Sequence, residues 1–193
     1  MFTRRHFLAT TLAVAATPAF ALSTGGAQSF VQTVVGQIMG IVNSAGSKSA
    51  AARSFERILS QSADMPVIAR SVLGPVARST SNADLAAFST ALQGYLSRKY
   101  GAQFQDFKGG AITVGRARDR GRFVEVSSQA KVPGKSTVDV TFRVWDRSGT
   151  PKFIDLLVEG ISLVTTERTE IGALLDQRGG SVSRLARDLR NLG

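Results

Sequence analysis

The apolar periodicity of the sequence changes at Gly109-Gly110, and this change constrains the fold more than any other feature. Before it, apolar residues recur every three or four positions, as in helices that bury one face. After it, they alternate with polar residues, most clearly at 138–144, where every second side chain is apolar. Such alternation is typical of strands with one buried face. Helices followed by a run of strands predict an α+β fold.

Six helices are predicted, four before the change and two at the C-terminal end. Their approximate ranges are 29–45, 48–60, 66–73, 84–105, 166–177 and 181–192. Asp64 precedes Pro66 at the start of the third helix, which is the arrangement of an N-cap followed by a first-turn proline. Ser81 or Asn82 is the expected N-cap of the longest helix, and Ser181 that of the last.

Four strands are predicted between these helices, separated by turn residues at 119–121, 133–134 and 147–149. The last and longest strand covers about 152–165, with Gly160 as its expected bulge. Consecutive strands with short turns favour an antiparallel meander. The predicted architecture is therefore a twisted four-stranded antiparallel sheet packed with the N- and C-terminal helices.

The first 21 residues are typical of an export signal. Arg4 and Arg5 precede an apolar stretch at 7–16, and Ala19-Phe20-Ala21 forms a small-x-small cleavage site. The apolar stretch is too short to span a bilayer. Residues 3–8 (TRRHFL) resemble the twin-arginine signal, with the general secretory route as the alternative. We expect cleavage near Ala21 and a single periplasmic domain at 22–193.

Composition excludes several kinds of chemistry in that mature chain. The sequence has no Cys and one His, which is His6 within the signal. Thiol catalysis, Cys- or His-ligated metals and Ser-His-Asp catalysis are therefore not expected, and no cofactor is predicted.

The mature chain is basic. Loss of Arg4 and Arg5 leaves 22 basic and 14 acidic residues, a net charge of +8. Export makes nucleic acid an implausible partner, whereas transient contact with an anionic membrane surface suits the compartment.

Few residues are candidates for catalysis. Ser47-Lys48-Ser49 lies at a polar helix start and is not a convincing nucleophile and base. Asp139 and Asp155 fall on neighbouring predicted strands, where a carboxylate inside a cone-shaped cavity could act as a base. We favour the simpler interpretation that Asp139 faces solvent and Asp155 pairs with an arginine.

The densest basic group surrounds a predicted hairpin turn. It consists of Arg116, Arg118, Arg120 and Arg122. A solvated loop tip explains such a group, and a docking patch for lipid headgroups or for an acidic partner is the alternative.

The string VEGISLV at 158–164, followed by Arg168, resembles the signature of the MlaC family of periplasmic phospholipid-binding proteins. Segments 64–74 (DMPVIARSVLG), 84–100 and 152–155 (KFID) resemble further stretches of that family. The likeness extends over about 30–192. The sequence departs from the family pattern at three places, which are 76–78, Pro151 and Glu167. At each of them an aromatic residue is common in the family.

The resemblance implies a carrier that moves phospholipid between an inner-membrane ABC transporter with an MCE protein and an outer-membrane lipoprotein–porin complex. It also implies an apolar cavity between sheet and helices, and a structural role for Glu159 and Arg168, which we expect to form a polar pair. The expected lipid-binding residues are the apolar positions of the predicted elements. They are Leu73, Phe88, Leu92, Leu96, Tyr100, Val124, Val126, Val140, Phe142, Val144, Ile154, Leu156, Ile161 and Leu163.

Two other functions remain open from the sequence. One is an isomerase- or dehydratase-like enzyme of cone-shaped fold, with Asp155 or Asp139 as the base. The other is a periplasmic adaptor whose core is filled. An ionisable side chain directed into the cavity would favour the enzyme, and an apolar wall would favour the carrier.

Overall fold

The computed structural model describes residues 22–44, 46–147 and 149–193. The predicted export signal lies outside this part of the chain. Six α-helices and five strands are present in it. The helices are α1 (Thr24–Ser44), α2 (Lys48–Ser62), α3 (Met65–Leu73), α4 (Asn82–Gly101), α5 (Leu163–Asp176) and α6 (Val182–Asp188). The strands are β1 (Ala111–Asp119), β2 (Val124–Lys131), β3 (Val138–Trp145), β4 (Lys152–Val158) and β5 (Ile161–Ser162).

Short 3-10 helices extend three of these elements. Gly74–Arg78 follows α3, Ala102–Phe107 follows α4, and Leu189–Asn191 follows α6. The predicted helix over 84–105 is therefore an α-helix whose end tightens into a 3-10 turn. The expected N-caps are confirmed: Asp64, Ser81 and Ser181 each accept a hydrogen bond from a backbone N–H three residues later. Each side chain thereby satisfies an otherwise free donor of the first helical turn.

The five strands form one antiparallel sheet in sequence order, β1-β2-β3-β4-β5. The α+β class and the antiparallel meander are confirmed, with five strands in place of four. The difference arises at 159–160, where the predicted fourth strand turns sharply. Glu159 and Gly160 have φ values of 50° and 78°, which suit the two central residues of a tight hairpin turn. Gly160 is thus a turn residue and not a bulge. In the pairing of β3 with β4, the bulge lies instead where the register shifts between Arg143 and Val144.

The apolar interior is divided into a sheet core and a helical core. The sheet core joins α1 to one face of β1–β4. The helical core joins α3, α4, α5 and α6 and includes the fully buried Phe88, Leu92 and Ile171. A smaller cluster links α1 to α2 through Val34, Ile41, Ala51 and Ile58.

Candidate functional site

The inner face of the sheet is apolar because of the two-residue period of its strands. Val126 pairs with Phe142 and Phe142 with Leu156, so that these side chains form one row across three strands. Val124 and Val144 form the next row. Helix α1 covers the same face with Ala27, Val31 and Val35, all buried. The close approach of a helix bearing small side chains makes this the most enclosed part of the sheet.

Phe153 on β4 is the residue at which the three apolar clusters meet. It is partly buried and packs against the sheet core, the helical core and the α1–α2 cluster. Its ring centroid lies 4.8 Å from that of Phe30 and 5.4 Å from that of Phe142. Its carbonyl oxygen accepts a 2.8 Å hydrogen bond from the N–H of Asp64, which fixes β4 against the start of α3.

Four partly buried phenylalanines lie where α1, α2, the 3-10 turn after α4 and β4 come together. We refer to Phe30, Phe55, Phe104 and Phe153 as the phenylalanine seam; all four pack against the α1–α2 cluster. Phe55 and Phe104 make an edge-to-face contact with centroids 4.9 Å apart. The four rings are thus partly solvent-exposed at the junction of the apolar clusters.

Two surface depressions lie away from the phenylalanine seam. They have volumes of about 330 and 310 Å³ and open at the surface of the helices. The first is lined by polar residues of α2 and by Gln93, and the second by Tyr95, Lys99, Glu170, Leu174, Leu192 and Gly193. Neither is lined by a residue of the phenylalanine seam.

The residues predicted to bind lipid are distributed over both cores. Those in the sheet core are Val124, Val126, Val140, Phe142, Val144 and Leu156. Those in the helical core are Leu73, Phe88, Leu92 and Leu96. These two sets belong to different apolar clusters. Helical and two-residue periodicities identify buried faces but do not indicate which faces meet.

The remaining four predicted positions lie elsewhere. Ile154 occupies the irregular position of β4, and Ile161 is 64% exposed on the short β5. Leu163 is the first residue of α5 and not part of a strand. Tyr100 belongs to a polar cluster, described below. Contact of any of the fourteen with a lipid remains a prediction.

Sequence reasoning did not include the phenylalanine seam in the site. Phe30, Phe55 and Phe104 are not among the predicted lipid-binding positions, and Phe153 stands only within the KFID stretch. The only sequence feature that points to these residues is that phenylalanines stand near the borders of predicted elements. That feature does not predict the seam, because the contacts of the four rings join residues far apart in the chain.

A polar cluster joins α4 to α5 beside the helical core. The Tyr100 hydroxyl donates a 2.5 Å hydrogen bond to Oε1 of Glu167, and Lys99 Nζ lies 2.8 Å from the same oxygen. Lys99 also pairs with Glu170, which accepts a 3.0 Å hydrogen bond from Tyr95. Glu167 is only 2% exposed, yet its Oε2 has no hydrogen-bond partner among the described residues.

Burial and charge shift the pKa values of this cluster. Burial raises the pKa of Tyr100, and the hydrogen bond to Glu167 adds to the effect. Burial alone would lower the pKa of Lys99, but its bonds to Glu167 and Glu170 together outweigh burial, and the pKa lies above the ordinary value. The bond from Lys99 lowers the pKa of Glu170. With Lys99 protonated and Glu170 ionised, the cluster therefore holds α4 against α5.

The outer face of the sheet carries a second set of ion pairs. Arg143 lies 3.1 Å from Glu125 and 3.2 Å from Asp155. Burial alone would raise the pKa of Glu125, but hydrogen bonds from Arg120 and Arg143 lower it overall. Asp155 also accepts hydrogen bonds from the Ser162 hydroxyl and the Val164 N–H, at 2.7 and 3.2 Å. It is therefore a structural carboxylate that joins β4 to the start of α5.

Neither candidate base faces the apolar interior. Asp155 lies with Arg143 on the face opposite Phe142, as the preferred interpretation predicted. Asp139 is exposed on β3, and its backbone bonds to Glu159. The expected pair of Glu159 and Arg168 is wrong, because Arg168 donates to the carbonyl of Ser71 at 2.7 Å. Each of the two residues stabilises a different junction.

The basic hairpin between β1 and β2 is exposed. Arg120 pairs with Glu125 at 2.8 Å. Arg116, Arg118 and Arg122 are exposed and have no carboxylate partner among residues 22–44, 46–147 and 149–193. The register of β2 with β3 places this turn at the same end of the sheet as Arg147.

The described part of the chain has neither a candidate metal centre nor a candidate membrane-spanning helix. It contains no group of His, Cys, Asp and Glu residues arranged to hold a metal ion. Within the same residues, no helix combines the length and the apolar character needed to cross a membrane.

Comparison with known proteins identifies relatives of this architecture. The family model described as MlaC protein matches residues 32–191. The solved structure of a phospholipid-binding protein from Ralstonia solanacearum, in complex with a phospholipid, has a similar fold, with a TM-score of 0.73. It is 18% identical in sequence, and the alignment covers 86% of this chain and 95% of that one. No curated protein matches the sequence significantly.

Proposed function

Since the chain belongs to the MlaC family, we propose that it is a phospholipid-binding protein of the bacterial periplasm. The observation that carries this proposal is the phenylalanine seam, four partly exposed rings of which Phe30 and Phe153 also pack against the apolar inner face of the sheet. The Ralstonia solanacearum protein, which shares the fold, was solved with a phospholipid. Family members are periplasmic, and the predicted signal at 1–21 is consistent with export.

The role that we propose is carriage between membranes. The protein would receive phospholipid from an inner-membrane ABC transporter with an MCE protein, or from an outer-membrane lipoprotein–porin complex, and deliver it to the other. The family resemblance supports these partners. The exposed arginines of the β1–β2 hairpin provide positive charge for brief contact with anionic surfaces.

Carriage does not need a permanently open cavity, because the lipid leaves one apolar environment for another. Burying about 30 methylenes of two acyl chains contributes about 24 kcal/mol at about 0.8 kcal/mol each. The bilayer buries the same chains to a similar extent, so net transfer between membrane and protein is close to balanced. The helices and the sheet can therefore exchange their own side-chain contacts for contacts with the lipid.

The decisive experiment is lipid extraction from the purified protein, followed by mass spectrometry. We expect phospholipid to co-purify, and the lipid-free protein to take up lipid from liposomes. A preparation that contains no lipid and accepts none would contradict the proposal and favour the adaptor with a filled core.

Two variants test whether the inner face receives the lipid. Val140→Glu and Phe142→Glu each place a charge on that face, and we expect loss of lipid loading. Thr141→Glu, on the opposite face of the same strand, is the matched control and should load normally. Circular dichroism must show that the variants remain folded. Unchanged lipid content in folded inner-face variants would exclude these residues from the site.

A further inference from the structure

Ser128 on β2 is the only polar residue among the buried residues of the described strands. It is 4% exposed, and its register partners on both sides, Val114 and Val140, are apolar. Its neighbours along the same face, Val126 and Ala130, are buried in the sheet core. The hydroxyl therefore lies within the apolar inner face that α1 covers.

The Ser128 hydroxyl has no hydrogen-bond partner within the described structure. The buried Ser97 differs, because it lies on α4 and donates to the carbonyl of Gln93 at 2.7 Å. A strand offers no such carbonyl one turn back, and β2 is paired on both edges, so its neighbours' backbone groups are already used by the sheet. A partner for Ser128 must come from the space between the sheet and the helices.

An unpaired buried hydroxyl destabilises a protein, and buried polar atoms without partners call for a functional explanation. We propose that the Ser128 hydroxyl donates a hydrogen bond to an ester carbonyl of the phospholipid that the protein binds. This rests on the proposed function. Acyl chains contact apolar side chains equally well anywhere on the inner face. The Ser128 hydroxyl, as a fixed donor on this face, sets how deep the glycerol esters lie. Only beside it can an ester carbonyl replace the hydrogen bond that it loses on leaving water.

The proposal predicts opposite effects on stability and on binding. Ser128→Ala removes the unpaired group, so the lipid-free variant should melt about 2–4 °C higher than the wild type. Its affinity for phospholipid should fall about three- to tenfold, the equivalent of one neutral hydrogen bond. Ser127→Ala is the matched control, since Ser127 is exposed on the other face and donates to the carbonyl of Arg116. It should leave lipid affinity unchanged.

The same bond can be tested without a mutation. The lipid-free wild type is titrated with vesicles of diacyl phosphatidylglycerol and with vesicles of the dialkyl ether analogue, which lacks ester carbonyls. We expect the wild type to bind the diacyl lipid about three- to tenfold more tightly and Ser128→Ala to bind the two equally.

The outcomes separate this inference from the function on which it rests. Uptake of neither lipid by the wild type would refute phospholipid binding itself. Equal affinity of the wild type for ester and ether lipids, or a Ser128→Ala variant with full affinity, would overturn the role of Ser128 while leaving phospholipid binding intact.

Discussion

Glu159 and the backbone of Asp139 bond to each other twice. The N–H of Asp139 donates to Oε1 of Glu159 at 2.5 Å, and the N–H of Glu159 donates to the carbonyl of Asp139 at 2.9 Å. Glu159 is the one non-glycine residue with positive φ among those described. The two bonds hold an unfavourable backbone conformation and thereby fix the turn that leads into β5 and α5.

Replacing Glu159 should therefore reveal both the contribution of its side-chain hydrogen bond and the cost of its positive φ. Glu159→Ala removes the acceptor and keeps the positive φ, so we expect the free energy of unfolding to fall by about 1–2 kcal/mol. Glu159→Gly relieves the backbone and should lose less. Urea denaturation of the two variants measures the difference. Equal losses would contradict the contribution of backbone conformation.

Lys99 is the cation that neutralises the buried Glu167. Lys99→Met leaves the Glu167 carboxylate without its charge partner, and we expect a loss of about 2–4 kcal/mol in the free energy of unfolding. The double variant Lys99→Met/Glu167→Gln should recover part of this loss, because no uncompensated charge is then buried. A double-mutant cycle measured by urea denaturation would detect the coupling. Strict additivity would show that the pair does not interact.

The same cluster predicts a dependence on alkaline pH. The pKa values of Lys99 and Tyr100 are raised above their ordinary values of 10.5 and 10.0 in the folded protein. A raised pKa contributes stability that is present below the ordinary value and is lost as pH rises above it. We expect the melting temperature to fall above about pH 10. The fall should be smaller in the double variant Lys99→Met/Tyr100→Phe, which cannot lose these protons.

The outer face of the sheet predicts a dependence on acidic pH. The pKa of Glu125 is lowered from its ordinary value of 4.5. A lowered pKa contributes stability that is present above the ordinary value and is lost as pH falls through the folded-state pKa. Melting temperatures from pH 7 to about pH 3 should therefore decline less steeply in Glu125→Gln. Asp176→Asn, which changes an exposed carboxylate on α5, should decline like the wild type.

Phe153 should contribute more to stability than its partial exposure implies. It packs against all three apolar clusters, so Phe153→Ala is expected to lower the free energy of unfolding by about 2–4 kcal/mol. Leu157→Ala is the control on the same strand, since Leu157 lies on the other face and belongs to none of the clusters. A loss no larger than that of the control would contradict the role of Phe153 as the junction.

The sequence predicted most elements because their signals are local. Asp64, Ser81 and Ser181 cap their helices as expected, since an N-cap bonds to a backbone group three residues away. The strand at 138–144 was equally clear. The prediction failed at 159–165, where an apolar stretch continues through a turn and into α5. Apolar side chains satisfy a strand and a buried helix start equally well, and periodicity does not separate them there.

The candidate site was only partly predictable. The inner-face positions Val126, Val140 and Phe142 follow from alternation within single strands. Phe30 and Phe153, whose rings lie 4.8 Å apart, are separated by more than a hundred residues, and no local pattern indicates their contact. Glu167 was recognised only as a departure from the family pattern, whereas the structure places it between Lys99 and Tyr100.

The sequence by itself determined the α+β class, the caps, the apolar faces of β2 and β3, and the family to which the chain belongs. Each of these depends on residue types at short, fixed spacings. Only the tertiary structure decided that ten of the predicted lipid-binding residues are divided between two cores and that Ser128 is buried without a partner. Those features depend on which faces pack together, and packing is settled by long-range burial and by the hydrogen bonds that each buried group can find.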